Sequence, residues 1–318
     1  KLTLTSGKPI ALVNDNRGEL FEFFPNINQV LVTEPSLYSD NVSLQSTSET
    51  SLGLGAIGAV FTTDVLSLIV TNAQSGIGCD GILDIEQSAT TAAITSFGEF
   101  LRLAIATFLD IDPAEIRVGR QKYRLKNATT LQLFLADAAE NGAGYMRHVF
   151  NNDSLRDVLL DHYEKQIEKW TKKSHMDCDV SCADCLRNYT NRMSHRHLDW
   201  RLALDVSEIA LGLPLDESRW LGRGDRACSL FLELCNQYDF EGIEHEKFGG
   251  LDCLVDQSTA ILLNHPLWHH KEGHFNSTQE AAQLELRAKH PSVEPFFVDI
   301  RDFIRNPQIY IQKFGDNT

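Results

Sequence analysis

The sequence predicts an α+β fold of mixed sheets and helices. Short β-rich runs fill its first third, and helical periodicity takes over from Thr90. The stretch from Ala227 to Ile300 then runs helix, three strands, helix, strand, an αβββαβ unit. Between two of the helices sits an insertion that carries three clustered cysteines.

The first strands are PIALVND, ELFEFF and QVLVT, with turn chemistry at Asn14–Gly18 between the first two. The Ser/Thr-rich stretch Pro35–Leu52 reads as a surface loop, and Gly53–Gly58 as a flexible entry to the strands AVFTTD and VLSLIVT. From Thr90 to Leu109, Ala93, Phe97, Phe100, Leu101, Ala104, Ile105 and Phe108 recur at helical spacing, until Asp112-Pro113 stops the helix. EIRVGRQKY and LQLFLAD are the next strands. The turn after them, Glu140–Tyr145, is built on Gly142 and Gly144. It serves either as a tight structural turn or as an anion cradle of backbone N–H groups, without the Gly-Lys-Ser/Thr of a P-loop.

Ser154–Lys173 reads as a helix with Ser154 as its N-cap, and Arg196–Leu211 as another, ended by Gly212 and Pro214. Ala227–Tyr238 is a helix, and FEGIEHEKF, LDCLVD and TAILLNHP are strands. Ser277–Lys289 is a helix with Ser277 and Glu280 as a capping box, and EPFFVDI is the last strand. Residues 1–215 and 216–318 are the expected domains.

The chain of 318 residues has 42% hydrophobic residues, enough for a sizeable core, and a net charge of -15. That charge excludes nucleic-acid binding by bulk electrostatics, so any basic groove must be local. No apolar run reaches the ~18–20 residues of a bilayer span. The start KLTLTSGKPI has neither a signal-peptide pattern nor an initiator Met, so the expectation is a piece of a longer cytoplasmic polypeptide.

Seven cysteines, an odd number, do not read as a disulfide framework. Cys178, Cys182 and Cys185 lie within eight residues, a spacing that suits a soft tetrahedral ion, so structural Zn²⁺ is the expected cofactor. A closed site needs a fourth ligand. His195 is the first choice, with His197, His175 and Cys79 as rivals. Asp184 and Asp199 are not placed as the acid or base of a catalytic zinc. A redox pair of Cys182 and Cys185 is the competing reading.

The run Cys-x-x-x-Cys-x-x-Cys-Leu-Arg-Asn-Tyr-x-Asn, followed by His195-x-x-Leu-Asp-Trp-Arg-Leu-Ala-Leu-Asp, resembles the zinc-binding domain at the C-terminus of many large DEAD/DEAH-type helicases. MrfA-type DNA repair helicases and the DISARM and Druantia anti-phage systems carry versions of it. Val13–Gly18, Thr62–Leu66, Phe134–Asp137 and Glu140–Tyr145 are similar to further segments of that group, as are His265–Trp268 and Asp299–Pro307. The family's domains hold zinc with four cysteines, whereas only three lie together here. The resemblance implies a non-catalytic, DNA-directed role beside an ATP-driven helicase motor, in defence or repair. The sequence contains no Walker A motif and no Asp-Glu-x-His box, so the ATP-binding motor is expected in another region or subunit. Arg187, Arg192 and Arg196 flank the metal loop and are the candidates for DNA phosphate contact, single strands included, with surface salt bridges as the plain alternative. A protein-interaction scaffold without DNA contact is the competing function.

The αβββαβ order is also that of restriction-endonuclease-like cores. Asp252 and Asp256 could supply acids, but the third strand, Ile261–His265, lacks Glu-x-Lys, so a degenerate, structural version is expected rather than a metal-dependent nuclease. His265, His269, His270 and His274 crowd the next loop at irregular spacing and read as a polar loop, with Trp268 as a buried anchor.

Overall fold

The computed structural model describes residues 2–14, 21–26, 29–33, 52–71, 77, 83, 85, 89–124, 129–172, 175, 178–238, 240 and 242–315. Cys79, most of the Pro35–Leu52 loop and the Asn14–Gly18 turn beyond Asn14 lie outside the described residues.

The strands of the first third are β1 (Leu2–Asn14), β2 (Phe21–Asn26), β3 (Gln29–Thr33), β4 (Gly53–Gly55) and β5 (Ile57–Leu68). AVFTTD and VLSLIVT are thus not two strands: β5 runs through both, paired along its length with β1 and, near its end, with the later strand Thr129–Asp137. The glycine-rich entry is itself a short strand on β2. Helix α1 (Thr90–Leu109) follows, then β6 (Ile116–Arg124) and β7 (Thr129–Asp137). These close an antiparallel sheet of order β1-β5-β7-β6.

Helix α1 lies against β6 and β7. A Cβ on Gly98 would stand 2.7 Å from side-chain atoms of Leu133 and Val118, so the missing side chain permits this approach. By length and composition α1 could cross a membrane, against the expectation that no apolar run is long enough, but 78% of its apolar stretch is buried inside the protein. It is the central helix of the core, packed on α3 (Leu155–Trp170) and α4 (Trp200–Leu211).

The glycine-rich turn leads into α2 (Tyr145–Asn151). Its backbone N–H groups already hold an anion, the chain's own buried Asp137. Gly144 N and Tyr145 N donate to Asp137 Oδ2 (2.6 and 3.2 Å), and Met146 N donates to Oδ1 (3.1 Å). The phosphate alternative at Gly142 and Gly144 is therefore excluded by occupancy: both glycines take positive φ to fold the turn around a carboxylate.

After α4 come α5 (Ser218–Leu221), α6 (Gly224–Gln237), β8 (Glu244–Phe248), β9 (Leu251–Val255), β10 (Thr259–Asn264), α7 (Ser277–Lys289) and β11 (Glu294–Asp299). The predicted αβββαβ order is present, and the sheet runs β11-β10-β9-β8 with β10 and β11 parallel. The cap of α7 sits one residue earlier than predicted. Asn276 accepts from Gln279 N, and Gln279 reaches back to Asn276 N. The last helices are α8 (Ile300–Arg305) and α9 (Pro307–Gly315).

The third strand carries no metal chemistry. Ile261 pairs with Leu254, so Ile261 and Leu263 occupy the face of β10 that Asp252 shares on β9. Asp256 accepts from Ser258 N and Thr259 N and closes a turn. The histidines of the following loop also act as turn and anchor groups. His265 Nδ1 accepts from Leu267 N, and His269 Nδ1 accepts from Lys271 N. Trp268 is fully buried, as expected.

Candidate metal centre

Helix α3 ends on the buried Trp170, and α4 begins on the buried Trp200, capped by Asp199. Ser154 occupies the N-cap position of α3 without a side-chain cap bond. The second predicted helix starts later than Arg196, because Arg192–His197 form a 3-10 turn. The cysteine loop hangs between these ends. Trp200 Nε1 donates to Cys178 O (3.0 Å), Trp200 N to Val180 O (3.0 Å) and Arg201 Nη1 to Asp179 O (2.7 Å). Ser181 Oγ donates to Leu198 O (3.2 Å), and Arg187 Nε donates to Ser181 Oγ (2.9 Å). These bonds orient the loop that carries the thiols.

Four ligand atoms converge, those of His175, Cys178, Cys182 and Cys185, all within 4.8 Å of one another. Cys182 Sγ lies 3.7 Å from Cys185 Sγ and 3.6 Å from His175 Nε2. Two sulfurs at about 2.3 Å from a tetrahedral zinc stand about 3.8 Å apart, and a sulfur and an imidazole nitrogen about 3.6 Å. The residues present therefore fit zinc in both donor type and spacing.

His175 takes the place expected of His195. Its Nδ1 lies 3.3 Å from Trp170 O, the partner that leaves Nε2 free to face the sulfurs, and its ring stacks on Trp170 and meets Trp200 edge-on. His195 is engaged elsewhere, with Nε2 3.0 Å from both Asn188 O and Asn191 Oδ1. His197 receives Arg196 Nε at 3.0 Å and stands outside the group. The sequence held a signal for His175: His175-x-x-Cys178 repeats the spacing of Cys182-x-x-Cys185.

Burial, then the neighbouring thiols, pushes the Cys178 thiol up to about 11; burial likewise raises Cys185. Burial also lowers His175, which keeps the imidazole neutral as a ligand must be. Cys178 and Cys185 must therefore give up protons to bind an ion. The raised Cys185 disfavours it as the reactive thiol of a redox pair, since such a thiol needs a depressed pKa.

Of the three flanking arginines, Arg187 is tied into the loop through Ser181. Arg192 stacks on Tyr189, a ring 79% exposed, and Arg196 is exposed. Asp184 is exposed and offers its backbone oxygen to Lys169, while buried Asp199 caps α4. A second group able to take a cation, Asp225, His245 and Asp252, has its buried carboxylate already bonded to His245 Nε2 (2.7 Å) and Lys247 Nζ (3.0 Å).

Residues 97–186 match the family model of the MrfA Zn-binding domain. That span includes all four clustered residues and ends before His195. The chain is 30% identical over 166 residues to the Druantia protein DruE of Escherichia coli (strain UMEA 4076-1), covering 49% of this chain and 8% of that protein. It is similar to the crystal structure of the DUF1998 helicase MrfA bound to DNA, at 13% identity and a TM-score of 0.34, covering 64% of this chain and 25% of that one. The chain thus spans a small part of the relatives it matches. Residues 97–186 are thus similar to the MrfA Zn-binding domain, and the four converging donors within that segment make zinc its cofactor.

Proposed function

We propose that this chain is a non-catalytic, zinc-stabilised accessory module of an ATP-dependent DNA helicase, docking the motor and guiding a DNA strand in cytoplasmic anti-phage defence or DNA repair. His175, Cys178, Cys182 and Cys185 hold the zinc as a closed set of four, which leaves no open position for an activated water. The observation that carries the reading is this four-donor cluster, pinned between α3 and α4 inside the segment that matches a helicase zinc-binding domain. Structural zinc contributes on the order of 10 kcal/mol to such modules, comparable to a domain's whole stability. The sequence carries no ATPase motif, so the motor belongs to the rest of the assembly.

The exposed pair Tyr189 and Arg192, with Arg196 beside it, offers a stacking ring and cations at the mouth of the metal loop. Reversing Arg192 and Arg196 to Glu in the helicase assembly tests the DNA role. Weakened single-strand binding with zinc content unchanged is expected. Unchanged binding favours the second reading, a scaffold that touches only protein, to which the net charge of -15 lends support.

A further inference from the structure

On this acidic chain the fold brings arginines from distant segments near one another. A cleft of about 830 Å³ opens beside the metal loop, lined by Asp179, Trp200, Arg201, Arg219, Arg223 and Arg226 among others. A smaller cleft shares Asp179 and Arg223 with it and adds Asp199, Arg301 and Arg305. Arg305 Nη1 then donates to Arg196 O at 3.0 Å, and Arg196 acts electrostatically on Arg120 of β6. The band so formed runs from α6 past α4 and α8 to the 3-10 turn and β6.

Its positive charge is only partly offset. Asp179 pairs with Arg223 at 2.7 Å, and Arg219 is consumed by Asp205, Glu208 and Asp216. Asp199 stands 3.5 Å from Arg301 and offsets part of its charge. Arg301, itself nine-tenths buried, has an Nε without a hydrogen-bond partner. Among the described residues no carboxylate forms an ion pair with Arg120, Arg196, Arg226 or Arg305. Burial first, and then neighbouring cations, lower the pKa of Arg120 and His197; burial and then a neighbouring arginine also lower Arg201 and Arg305, against the opposing pull of Asp199 and Asp179. Cations crowded in this way gain from any polyanion that lies along them.

We infer that this arginine band is the track for a DNA phosphate backbone, carrying the strand from the cleft at Arg226 past Arg305 to Arg120. The inference rests on the DNA-guiding reading above and assigns it a path that the metal loop alone does not define. Guanidiniums spaced along a groove hold successive phosphates without reading bases, so binding should depend on salt and little on sequence.

The test is fluorescence anisotropy of the full zinc-loaded chain with a labelled single-stranded oligonucleotide across a salt series. Arg120→Glu, Arg226→Glu and Arg305→Glu are compared with Arg287→Glu, an exposed control on α7 paired with Glu272. Each band variant is expected to weaken binding roughly tenfold and to flatten the salt slope by about one contact, while the control binds like wild type. If Arg305→Glu loses zinc or folds poorly, Arg305→Gln keeps a donor for Arg196 O and still removes the charge. Wild-type binding left unchanged by all the band variants overturns the path and spares the DNA reading. No binding by the wild-type chain at low salt overturns both.

Discussion

His175 shows how a single position decides the metal site. Its Nδ1 meets Trp170 O, and Nε2 faces the thiols, so it has a partner on each side of the ring. Cys182→Ser should abolish stoichiometric zinc, whereas His195→Ala should retain it, because His195 is bonded to Asn188 and Asn191 instead. Zinc content after gel filtration checks both. The three cysteines were legible because thiols at that spacing have few other uses. The fourth donor was not, since two histidines flank the cluster and only the fold shows which one the Trp170 carbonyl orients. Arg187 was likewise hidden in a role, since its bond to Ser181 makes it part of the loop's frame.

A second residue-scale expectation concerns His162, buried against Phe100, whose pKa burial lowers to about 4. The unfolded chain takes up that proton near 6.5, before the folded one does. Stability is therefore intact above about pH 6.5 and falls as pH drops from there toward 4, by on the order of 3 kcal/mol. His162→Phe should remove that part of the acid slope in urea titrations at several pH values; an unchanged slope would refute the assignment.

At the scale of elements, the β8–β9 hairpin turns on Gly249 and Gly250, with φ of +54° and +84°. A Cβ at Gly249 would meet the backbone of Ala282 at 2.5 Å, whereas one at Gly250 would meet nothing within 4 Å. Gly249→Ala should cost on the order of 2–3 kcal/mol and Gly250→Ala about 1, read from urea midpoints. The αβββαβ order was legible from periodicity and turn residues. The continuity of β5 was not, because its exposed first half and buried second half read as separate strands. The start of α4 was misplaced because the 3-10 turn carries no periodic signal, while Asp199, its true cap, was weighed only as a candidate acid.

Over the whole molecule one hydrophobic cluster runs from Leu66 to Phe314 and takes in Trp170, Trp200, Cys185 and Leu186 of the metal region. Loss of zinc should therefore be felt well beyond the loop. Chelation is expected to lower the melting temperature and shift tryptophan fluorescence, since Trp170 and Trp200 frame His175. Proton release should make zinc affinity fall as pH drops, because the buried thiols must ionise to bind. Whole-molecule charge placement was the least legible property. Composition gave a net -15, yet neighbouring clefts carry Arg226 and Arg305, and Arg196 links Arg305 to Arg120, only after distant segments fold together.

X-ray absorption at the zinc edge on the purified full chain addresses the metal centre most directly. One zinc per chain, with three sulfurs at about 2.3 Å and one nitrogen at about 2.0–2.1 Å, is the predicted shell. Absence of stoichiometric zinc, or a shell of two sulfurs or of four, would contradict the assignment of His175, Cys178, Cys182 and Cys185.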